Sequence, residues 1–275
     1  MIPRAQVTAW RASAPWPLDE QVEQDLILSR ALTAIFSRPF LRQALAFRGG
    51  TALHKLHCDP PGRYSEDLNL VQVEAGPIGP VLAELRDALD PWLGEPAWKQ
   101  GPASARLLYR FETTTLPVQR MRVKVEINTR EHFSVDGLQQ VSFAVASPWH
   151  SADEMITTFT LEELLATKMR ALFQRRKGRD LYDLWLGLTT LDPDEAHIIE
   201  CLGEYLMRTE TPISRAEFEA NMEGKLASPD FRADVIPLLR DSEGYDVDVA
   251  ASLVHDRLIA RLPGEPWKAL GREQS

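Results

Sequence analysis

The stretch from Phe47 to Val73, which reads FRGGTALHKLHCDPPGRYSEDLNLVQV, constrains the fold of this chain more than any other. Its pattern predicts a short strand, a two-glycine turn, a helix over 51–57, a loop rich in Pro and Gly, and a second strand over 67–73. The polar residues of this unit fall at the glycine turn and along the second strand.

The glycine turn predicts a place where phosphate can bind. Gly49 and Gly50 stand between a strand and a helix, and Thr51 is a candidate N-cap. The start of a helix presents backbone N–H groups without partners inside the helix, and such groups bind phosphate. A Gly-Gly pair alone is typical of ordinary turns, so this interpretation depends on the acidic strand that follows.

The second strand carries polar side chains at every other position. Ser65, Asp67 and Asn69 therefore share one face. A carboxylate placed there can hold Mg²⁺, which prefers oxygen ligands and often keeps substrate phosphates among them. Turn and strand together predict a site for a nucleoside triphosphate and its metal, and Arg63 in the preceding loop could reach phosphate oxygens. The alternative is a solvent-facing edge strand.

A second carboxylate stands on another predicted strand, over 120–129. Glu126 lies on the polar face of that strand, between Lys124 and Asn128. If the strand lies beside the Asp67 strand, Glu126 is a further metal ligand. The alternative is a cross-strand ion pair on a solvated face.

Lys168 falls on the apolar stripe of a predicted helix over 161–175, four residues after Leu164 and four before Leu172. Burying an unpaired ammonium group is unfavourable. The pattern therefore predicts that Lys168 points into a cleft and meets an anionic ligand. The alternative is that its long stem carries the ammonium group to the surface.

A basic loop follows this helix. From Lys168 to Arg179 the chain has six Lys or Arg and no Asp or Glu. In an acidic chain this run favours contact with a polyanion, and a solvated loop is the alternative. The loop residues concerned are Arg175, Arg176, Lys177 and Arg179.

Two aspartates follow the basic loop. Asp180 is expected to be the N-cap of a helix over 180–188. Asp183 either complements the dipole of that helix or adds a third acidic group to the cleft.

The order of the predicted elements indicates an α+β chain. Strands are confined to the first half, with further ones over 105–113 and 141–146, and the pattern is helical from Met155 onward. We therefore expect a catalytic domain with N-terminal helices over 1–150 and a helical domain over 151–275 that completes the active site.

The composition of the chain restricts the classes of protein to which it can belong. The chain has 275 residues, of which 44% are hydrophobic, enough for a real core. It has no apolar run of about 20 residues and no secretory signal, so we expect a cytoplasmic protein, with Cys58 and Cys201 as reduced thiols. A net charge of −9 argues against broad nucleic-acid binding. It permits a local basic patch, because charges are screened beyond about 8 Å.

Four segments of the chain resemble the AbiEii/AbiGii toxin family of nucleotidyltransferases, which includes the MenT toxins. They occur in family order and read FRGGTALHKLH, RYSEDLNLVQ, VKVEIN and LEELLATKMRALFQRRKGRDLYDLW. The resemblance extends along nearly the whole chain and is weakest over the C-terminal helices. The combination of segments is specific, although no single segment is.

The resemblance implies a polymerase-β-like nucleotidyltransferase core with a helical C-terminal region. Family members act in type IV toxin–antitoxin and phage-defence modules and are neutralised by an antitoxin partner. Characterised relatives transfer a nucleotide from an NTP to the 3′ acceptor end of tRNA. The implied cofactor is Mg²⁺, or Mn²⁺.

The resemblance also implies roles for individual residues. Gly49, Gly50 and Thr51 would bind the triphosphate, and Lys168 would contact its phosphates. Asp67 would be the principal metal ligand, with Glu126 as a third carboxylate. Ser65 and Asp183 would complete the active site.

One residue departs from the family pattern D-x-D, since Asn69 stands where the second aspartate is expected. A neutral carbonyl oxygen implies weaker Mg²⁺ binding, a preference for Mn²⁺, or loss of catalysis. Three hypotheses follow: transfer to a nucleic-acid 3′ end, transfer to a protein or small-molecule hydroxyl, or a catalytically weak module that binds a nucleotide or a partner.

Overall fold

The structure is a computed structural model that describes residues 2–240 and 244–268. The chain divides into two compact units, Met1–Thr160 and Leu161–Ser275. The division falls after Thr160 rather than after residue 150, because His150–Thr158 forms a strand of the first unit.

The first unit combines helices with a seven-stranded sheet. Its described helices are α1 (Arg4–Trp10), α2 (Asp19–Phe36), α3 (Pro39–Ala44), α4 (Gly49–His57) and α5 (Gly79–Leu93). Its described strands are β1 (Leu45–Arg48), β2 (Asp67–Gln72), β3 (Ala97–Gln100), β4 (Ser104–Glu112), β5 (Arg120–Asn128), β6 (Gln139–Ser147) and β7 (His150–Thr158).

The sheet is mixed, with the strand order β3-β4-β5-β2-β1-β7-β6. Strand β2 runs antiparallel to β1 and parallel to β5, so the glycine unit occupies the centre of the sheet. The prediction of helix from Met155 onward was wrong for residues up to Thr158, which belong to β7. These residues pair with β6 as a hairpin, and this pairing outweighs local sequence preference. Strand β3 was also not predicted.

Alternation along β5 explains how the first unit builds its core. Val123, Val125 and Ile127 are fully buried on one face, while the residues between them are more exposed. Helix α2 packs against β2, β5, β6 and β7, and it is buried over most of its circumference, as expected for a core helix. Each large apolar side chain removed from water contributes about 1.5–3 kcal/mol.

A buried polar network ties α1, α2 and α4 together around Asp25. The carboxylate accepts hydrogen bonds from Trp10 Nε1 at 3.0 Å and from Lys55 Nζ at 3.0 Å. Lys55 Nζ also donates to Ser29 Oγ at 3.0 Å. Because these groups are buried, their pairing is needed for the helices to pack in this order.

The second unit is helical throughout its described residues, as predicted for this half of the chain. Its helices are α6 (Leu161–Gln174), α7 (Gly178–Thr190), α8 (Glu195–Arg208), α9 (Arg215–Leu226), α10 (Pro229–Ala233) and α11 (Val247–Arg257), with short 3₁₀ helices at Ile236–Leu238 and Ile259–Arg261. Helix α6 packs against α7, α8 and α9. The buried Lys225 of α9 donates to the carbonyl oxygens of Leu172 and, at 2.8 Å, Phe173, which lie in the last turn of α6.

Within residues 2–240 and 244–268, no helix is both long enough and apolar enough to cross a membrane.

Candidate functional site

The glycine turn opens α4 as predicted, but with a different cap. Helix α4 begins at Gly49 after Arg48, so Thr51 lies in the first turn and is not the N-cap. The Thr51 hydroxyl donates to the Asp67 carbonyl oxygen at 2.6 Å and lies 2.5 Å from Ser65 Oγ. Thr51 therefore connects the start of the helix to the start of β2.

Gly49 is required here for two separate reasons. Its φ of +83° lies in the left-handed region that favours glycine. Arg48 pairs with Asn69 across β1 and β2, and a Cβ on Gly49 would lie 3.3 Å from Asn69 Nδ2. The glycine turn and the acidic strand are thus packed directly against each other.

Strand β5 lies beside β2, as the proposed role of Glu126 requires. In this parallel pair Asp67 is opposite Lys124, and Asn69 is opposite Glu126. The four side chains share one face of the sheet. Glu126 therefore neighbours the acidic strand, which is the arrangement that a second carboxylate for the metal requires.

Lys124 binds both carboxylates of this face. Its Nζ lies 2.9 Å from Asp67 Oδ2 and 3.1 Å from Glu126 Oε2. The other oxygen of Glu126 accepts from Arg106 Nε at 2.6 Å. Arg106 stands opposite Glu126 on β4, so this contact is the cross-strand ion pair that the sequence offered as the alternative role of Glu126. Only the strand register shows which side chains meet.

These ion pairs shift the pKa values of Glu126 and Lys124. Partial burial would raise the pKa of Glu126, but the hydrogen bonds and charges of Lys124 and Arg106 lower it below its usual value. Burial would likewise lower the pKa of Lys124, and its two carboxylate partners raise it instead. At neutral pH the face therefore carries charged groups.

Two oxygen-bearing groups on the same face have no hydrogen-bond partner within the part of the chain that the structure describes. They are Asp67 Oδ1 and the Asn69 side-chain amide. Both side chains are half-buried. They are oxygen donors of the kind that Mg²⁺ and Mn²⁺ accept.

Arg63 does not have the placement expected of a phosphate ligand. It is only 3% exposed, and its Nη1 donates to the Tyr64 carbonyl oxygen at 3.0 Å. A planar guanidinium with several donors can satisfy the backbone of an irregular loop. Its position favours a structural role in the loop before β2.

In the second unit, Lys168 is buried and paired. The side chain is 5% exposed, which excludes the alternative that its ammonium reaches the surface. Its Nζ lies 2.8 Å from Asp183 Oδ2 and 3.3 Å from Asp180 Oδ1. Both aspartates are fully buried, so this cluster keeps one ammonium between two carboxylates.

The prediction that Asp180 is the N-cap of the helix was wrong. Helix α7 begins at Gly178 after Lys177, which places Asp180 in the first turn. Its two carboxylate oxygens accept from Arg175 Nε and Nη2, each at 2.6 Å. A bidentate pair of this kind is a strong, directional contact, and it holds the loop before α7.

The rest of the basic loop is also engaged. Lys177 Nζ and Arg179 Nε lie 3.2 and 2.9 Å from the carboxylate of Asp234. Arg176 is exposed and, within the described part of the chain, forms no ion pair. Three of the four basic side chains of this loop are therefore engaged within the second unit, but the two carboxylates that hold them, Asp180 and Asp234, balance at most half of the loop's charge.

The chain is similar to known nucleotidyltransferase toxins in sequence pattern and in structure. A family model for the nucleotidyl transferase AbiEii toxin of type IV toxin–antitoxin systems matches residues 30–252. JHP933 from Helicobacter pylori is similar in structure, with 16% identity, a TM-score of 0.52, and coverage of 89% of this chain and 95% of that one. No curated protein matches the chain in sequence.

Two other solved structures give the same result. MenT4, a nucleotidyltransferase toxin from Mycobacterium tuberculosis, has 17% identity and a TM-score of 0.53, covering 92% of this chain and 99% of that one. A putative nucleotidyltransferase from H. pylori has 17% identity and a TM-score of 0.51, covering 88% and 97%. At these identities the likeness shows the fold, and it confirms the α+β class with a polymerase-β-like core and a helical region.

The family match covers the glycine turn, the Asp67 strand, Glu126, Lys168 and Asp183. Membership implies a nucleoside triphosphate as substrate and an antitoxin as partner. The chain belongs to the AbiEii family of nucleotidyltransferase toxins from type IV toxin–antitoxin systems.

Proposed function

We propose that this protein transfers a nucleotide from an NTP to the 3′ hydroxyl of a nucleic acid, with the acceptor end of tRNA as the substrate. The observation that carries the proposal is the face formed by Asp67, Asn69 and Glu126 beside the glycine-opened helix α4. It joins a phosphate-binding helix start to a group of oxygen ligands.

The side chains of this face fit a divalent metal ion. Asp67 through Oδ1 and Asn69 through its amide oxygen would hold Mg²⁺ or Mn²⁺, and Glu126 would join them if Arg106 or Lys124 released one of its oxygens. A metal bound there supplies charge stabilisation at the reacting phosphate.

The chain's own groups would bind and orient the substrates. The backbone N–H groups of Gly49, Gly50 and Thr51 would bind phosphate oxygens, and Ser65 would hold Thr51 in position. Lys168 is proposed to contact phosphates, with Asp183 orienting its ammonium group. The exposed Arg176 of the basic loop is proposed to contact the acceptor backbone.

The setting of this activity follows from the family. We propose a cytoplasmic toxin, acting in phage defence, whose antitoxin blocks or modifies it. The same chemistry directed at a protein or small-molecule hydroxyl is the nearest enzymatic alternative, and omission of tRNA from the assay separates the two.

Labelled transfer tests the proposal. Purified protein is incubated with each α-³²P-labelled NTP, total tRNA, and Mg²⁺ or Mn²⁺. Labelled tRNA is expected with wild type and with Glu74→Ala, an exposed carboxylate just past β2, but not with Asp67→Ala. Equal labelling by Asp67→Ala, or no labelling by wild type with any NTP and either metal, contradicts the proposal.

A second candidate function belongs to a different class, and one feature of the site favours it. Asn69 is neutral, and the two remaining carboxylates already share the Lys124 ammonium. Such a site would bind a nucleotide or a partner with little catalysis. Asn69→Asp discriminates, because a large gain in transfer supports a degenerate site, whereas unchanged transfer shows that Asn69 is compatible with the chemistry.

A further inference from the structure

The two edges of the seven-stranded sheet differ in how they meet solvent. Strand β3 forms one edge with four residues, and it carries Lys99. Strand β6 forms the other edge with nine residues, QQVSFAVAS, and none of them is charged. Natural proteins keep sheet edges from pairing with other chains by shortness, lysine or proline. Strand β3 has two of these protections, and β6 has none.

The hairpin that joins β6 to β7 shows which backbone groups of β6 point outward. Ser147 and His150 flank a two-residue turn, so they form a hydrogen-bonded pair. Antiparallel pairing alternates hydrogen-bonded and non-hydrogen-bonded positions, so every second residue back from Ser147 bonds to β7. The backbone N–H and C=O groups of the residues between them point away from the sheet. These residues are Gln140, Ser142, Ala144 and Ala146.

The outward backbone groups of β6 have no partner within residues 2–240 and 244–268. In that part of the chain β7 is the only strand that pairs with β6, and no other backbone or side-chain group bonds to the outward N–H and C=O groups. The four residues that carry them are exposed. A row of free N–H and C=O groups of this kind is a template for a further strand.

The charged groups nearest to this edge lie one strand inward, on β7. Asp153 accepts a hydrogen bond from Ser142 Oγ at 2.9 Å. Glu154 is paired with Arg42 at 2.6 Å. Since both carboxylates already have partners and neither belongs to β6, they do not oppose a strand that approaches the edge.

Helix α1 is a neighbour of β6, since it packs against both α2 and β6. Ala5, Thr8 and Ala9 share one side of this helix, and all three are exposed. Arg4 is the only charged residue of α1. The helix beside β6 thus presents small, uncharged side chains rather than a barrier of charge.

The backbone of β6 matches a reversed copy of itself. Two β6 strands that run antiparallel about Phe143 place Gln140 opposite Ala146 of the second copy. They likewise place Ser142 opposite Ala144 of the second copy. Each of these pairs joins two outward residues, so every outward N–H and C=O group finds a partner. A shift of the register by two residues in either direction would leave some of these groups unpaired.

The side chains of β6 match in the same register. Phe143 lies at the centre and faces its own copy, and Val141 faces Val145 of the second copy. Phe143 and Val141 are half-buried, so each still offers apolar surface at the edge. Aromatic and β-branched cross-strand pairs stabilise antiparallel strands. No like charges meet, because β6 carries no charge.

We infer that β6 is the interface through which two copies of this chain form a symmetric dimer, with the two sheets joined across antiparallel β6 strands. An interface between identical copies needs one surface that complements itself, and the neutral β6 edge meets that requirement. Pairing also covers an uncharged strand that would otherwise favour aggregation. The inference is independent of the proposed function, because it uses no residue of the candidate site.

A strand from a different protein is the competing occupant of this edge. Such a strand would satisfy the outward backbone groups equally well. The match of Phe143, Val141 and Val145 with a second copy is a property of the β6 sequence itself, and it favours a second copy over an unrelated strand.

Disulfide trapping tests both the pairing and its register. Phe143→Cys puts two thiols at a non-hydrogen-bonded pair, where the Cα atoms lie about 4.5 Å apart, within the range for a disulfide. Val141→Cys puts them four residues apart along the strand, about 14 Å, which is too far. With oxidised glutathione we expect a cross-linked dimer from Phe143→Cys. None is expected from Val141→Cys or from wild type, which keeps Cys58 and Cys201.

Analytical ultracentrifugation of the full chain measures the dimer without a cross-link, over a hundredfold range of protein concentration. Ala144→Pro removes an outward N–H group, a change that an edge strand tolerates. Because symmetry removes two hydrogen bonds, each worth about fivefold, the dimer affinity is expected to fall about 25-fold. Ala144→Lys adds a charge of the kind that protects natural edges and should yield monomers. Val118→Lys, a matched change at an exposed position outside β6, should retain the wild-type dimer.

A wild type that stays monomeric across that concentration range overturns the inference. So does a dimer that Ala144→Pro and Ala144→Lys leave unchanged, or cross-linking of Val141→Cys in preference to Phe143→Cys. A monomer that loses its antitoxin through Ala144→Lys assigns the edge to that partner and overturns the inference as well. A thermal melt shows which variants are folded, and the Ala144 variants decide the case if Phe143→Cys is not.

Discussion

At the scale of single residues, the proposed site depends on close packing between Gly49 and Asn69. Gly49 combines a positive φ with a neighbour at van der Waals distance, whereas Gly94 has a similar φ of +80° and open space around it. Substitution of the two glycines therefore separates the cost of a strained backbone, which both share, from the cost of the contact with Asn69, which only Gly49 has.

We predict that Gly49→Ala lowers the free energy of unfolding more than Gly94→Ala does. The left-handed conformation costs a non-glycine residue about 1–2 kcal/mol at either position. At Gly49 the added Cβ also meets Asn69 Nδ2 at 3.3 Å, so Asn69 must shift. Urea unfolding measures both variants, and equal losses would show that contact with Asn69 contributes nothing.

The buried cluster around Lys168 leads to a second prediction at this scale. Lys168→Met leaves Asp183 without its ammonium partner in a fully buried position. Breaking such a pair costs about 3–5 kcal/mol, so we expect a loss of that size in unfolding free energy. Lys177→Met, which removes an exposed ion pair to Asp234, should cost about 1 kcal/mol or less.

This comparison also determines how activity data on Lys168 are interpreted. If Lys168→Met abolishes transfer while its unfolding free energy matches that of Lys177→Met, Lys168 acts mainly on substrate. A large loss of stability instead shows that the cluster supports the helical unit whatever its role on phosphates.

At the scale of elements, the junction between α7 and α10 depends on a missing side chain. A Cβ on Gly178, the first residue of α7, would lie 2.1 Å from the Phe231 carbonyl oxygen of α10. A backbone carbonyl in a helix cannot move aside without breaking the packing of that helix. The glycine thus sets how closely the two helices approach.

We predict that Gly178→Ala destabilises the protein by about 3 kcal/mol, the upper part of the range for overpacking. Gly203→Ala is the matched change, since Gly203 lies inside α8 with nothing within 4 Å of the added atom. That substitution should stabilise by up to about 1 kcal/mol through helix propensity. Circular dichroism measures the melting temperatures of Gly178→Ala and Gly203→Ala. Similar melting temperatures for the two variants would contradict the packing argument.

At the scale of the whole molecule, charge is distributed unevenly. The chain has a net charge of −9, yet the sheet face around Asp67 is predominantly basic, and Asp180 and Asp234 hold three of the four basic side chains of the loop before α7. Stability in acid therefore depends on carboxylates that hold arginines in place.

We predict a loss of stability in acid that depends on Asp234. Burial would raise the pKa of Asp234, but hydrogen bonds and charge from Arg179 lower it to about 2, from 3.8. Because the folded pKa is depressed, the stabilisation is complete above pH 3.8 and is lost as the pH falls towards 2. The contribution is about 1 kcal/mol, because Lys177 and Arg179 are partly exposed and solvent screens their pairs with Asp234.

The measurement is unfolding free energy against pH for wild type, Asp234→Asn and Asp230→Asn. Asp234→Asn should be less stable than wild type at pH 6 and approach it near pH 2. Asp230→Asn changes an exposed carboxylate in α10, the short helix that ends just before Asp234, and should follow wild type throughout. A constant difference between wild type and Asp234→Asn across this range would refute the assigned titration.

The sequence alone determined the strand–glycine–helix–strand unit, the helical second half and the family, because local periodicity and glycine chemistry act between near neighbours along the chain. Tertiary structure decided what the charged residues do. Lys124 meets Asp67 and Glu126 only through the parallel register of β2 and β5, and Lys168 meets Asp183 only through the packing of α6 on α7. Pairings between distant segments depend on how whole elements bury their apolar faces, which no local pattern specifies.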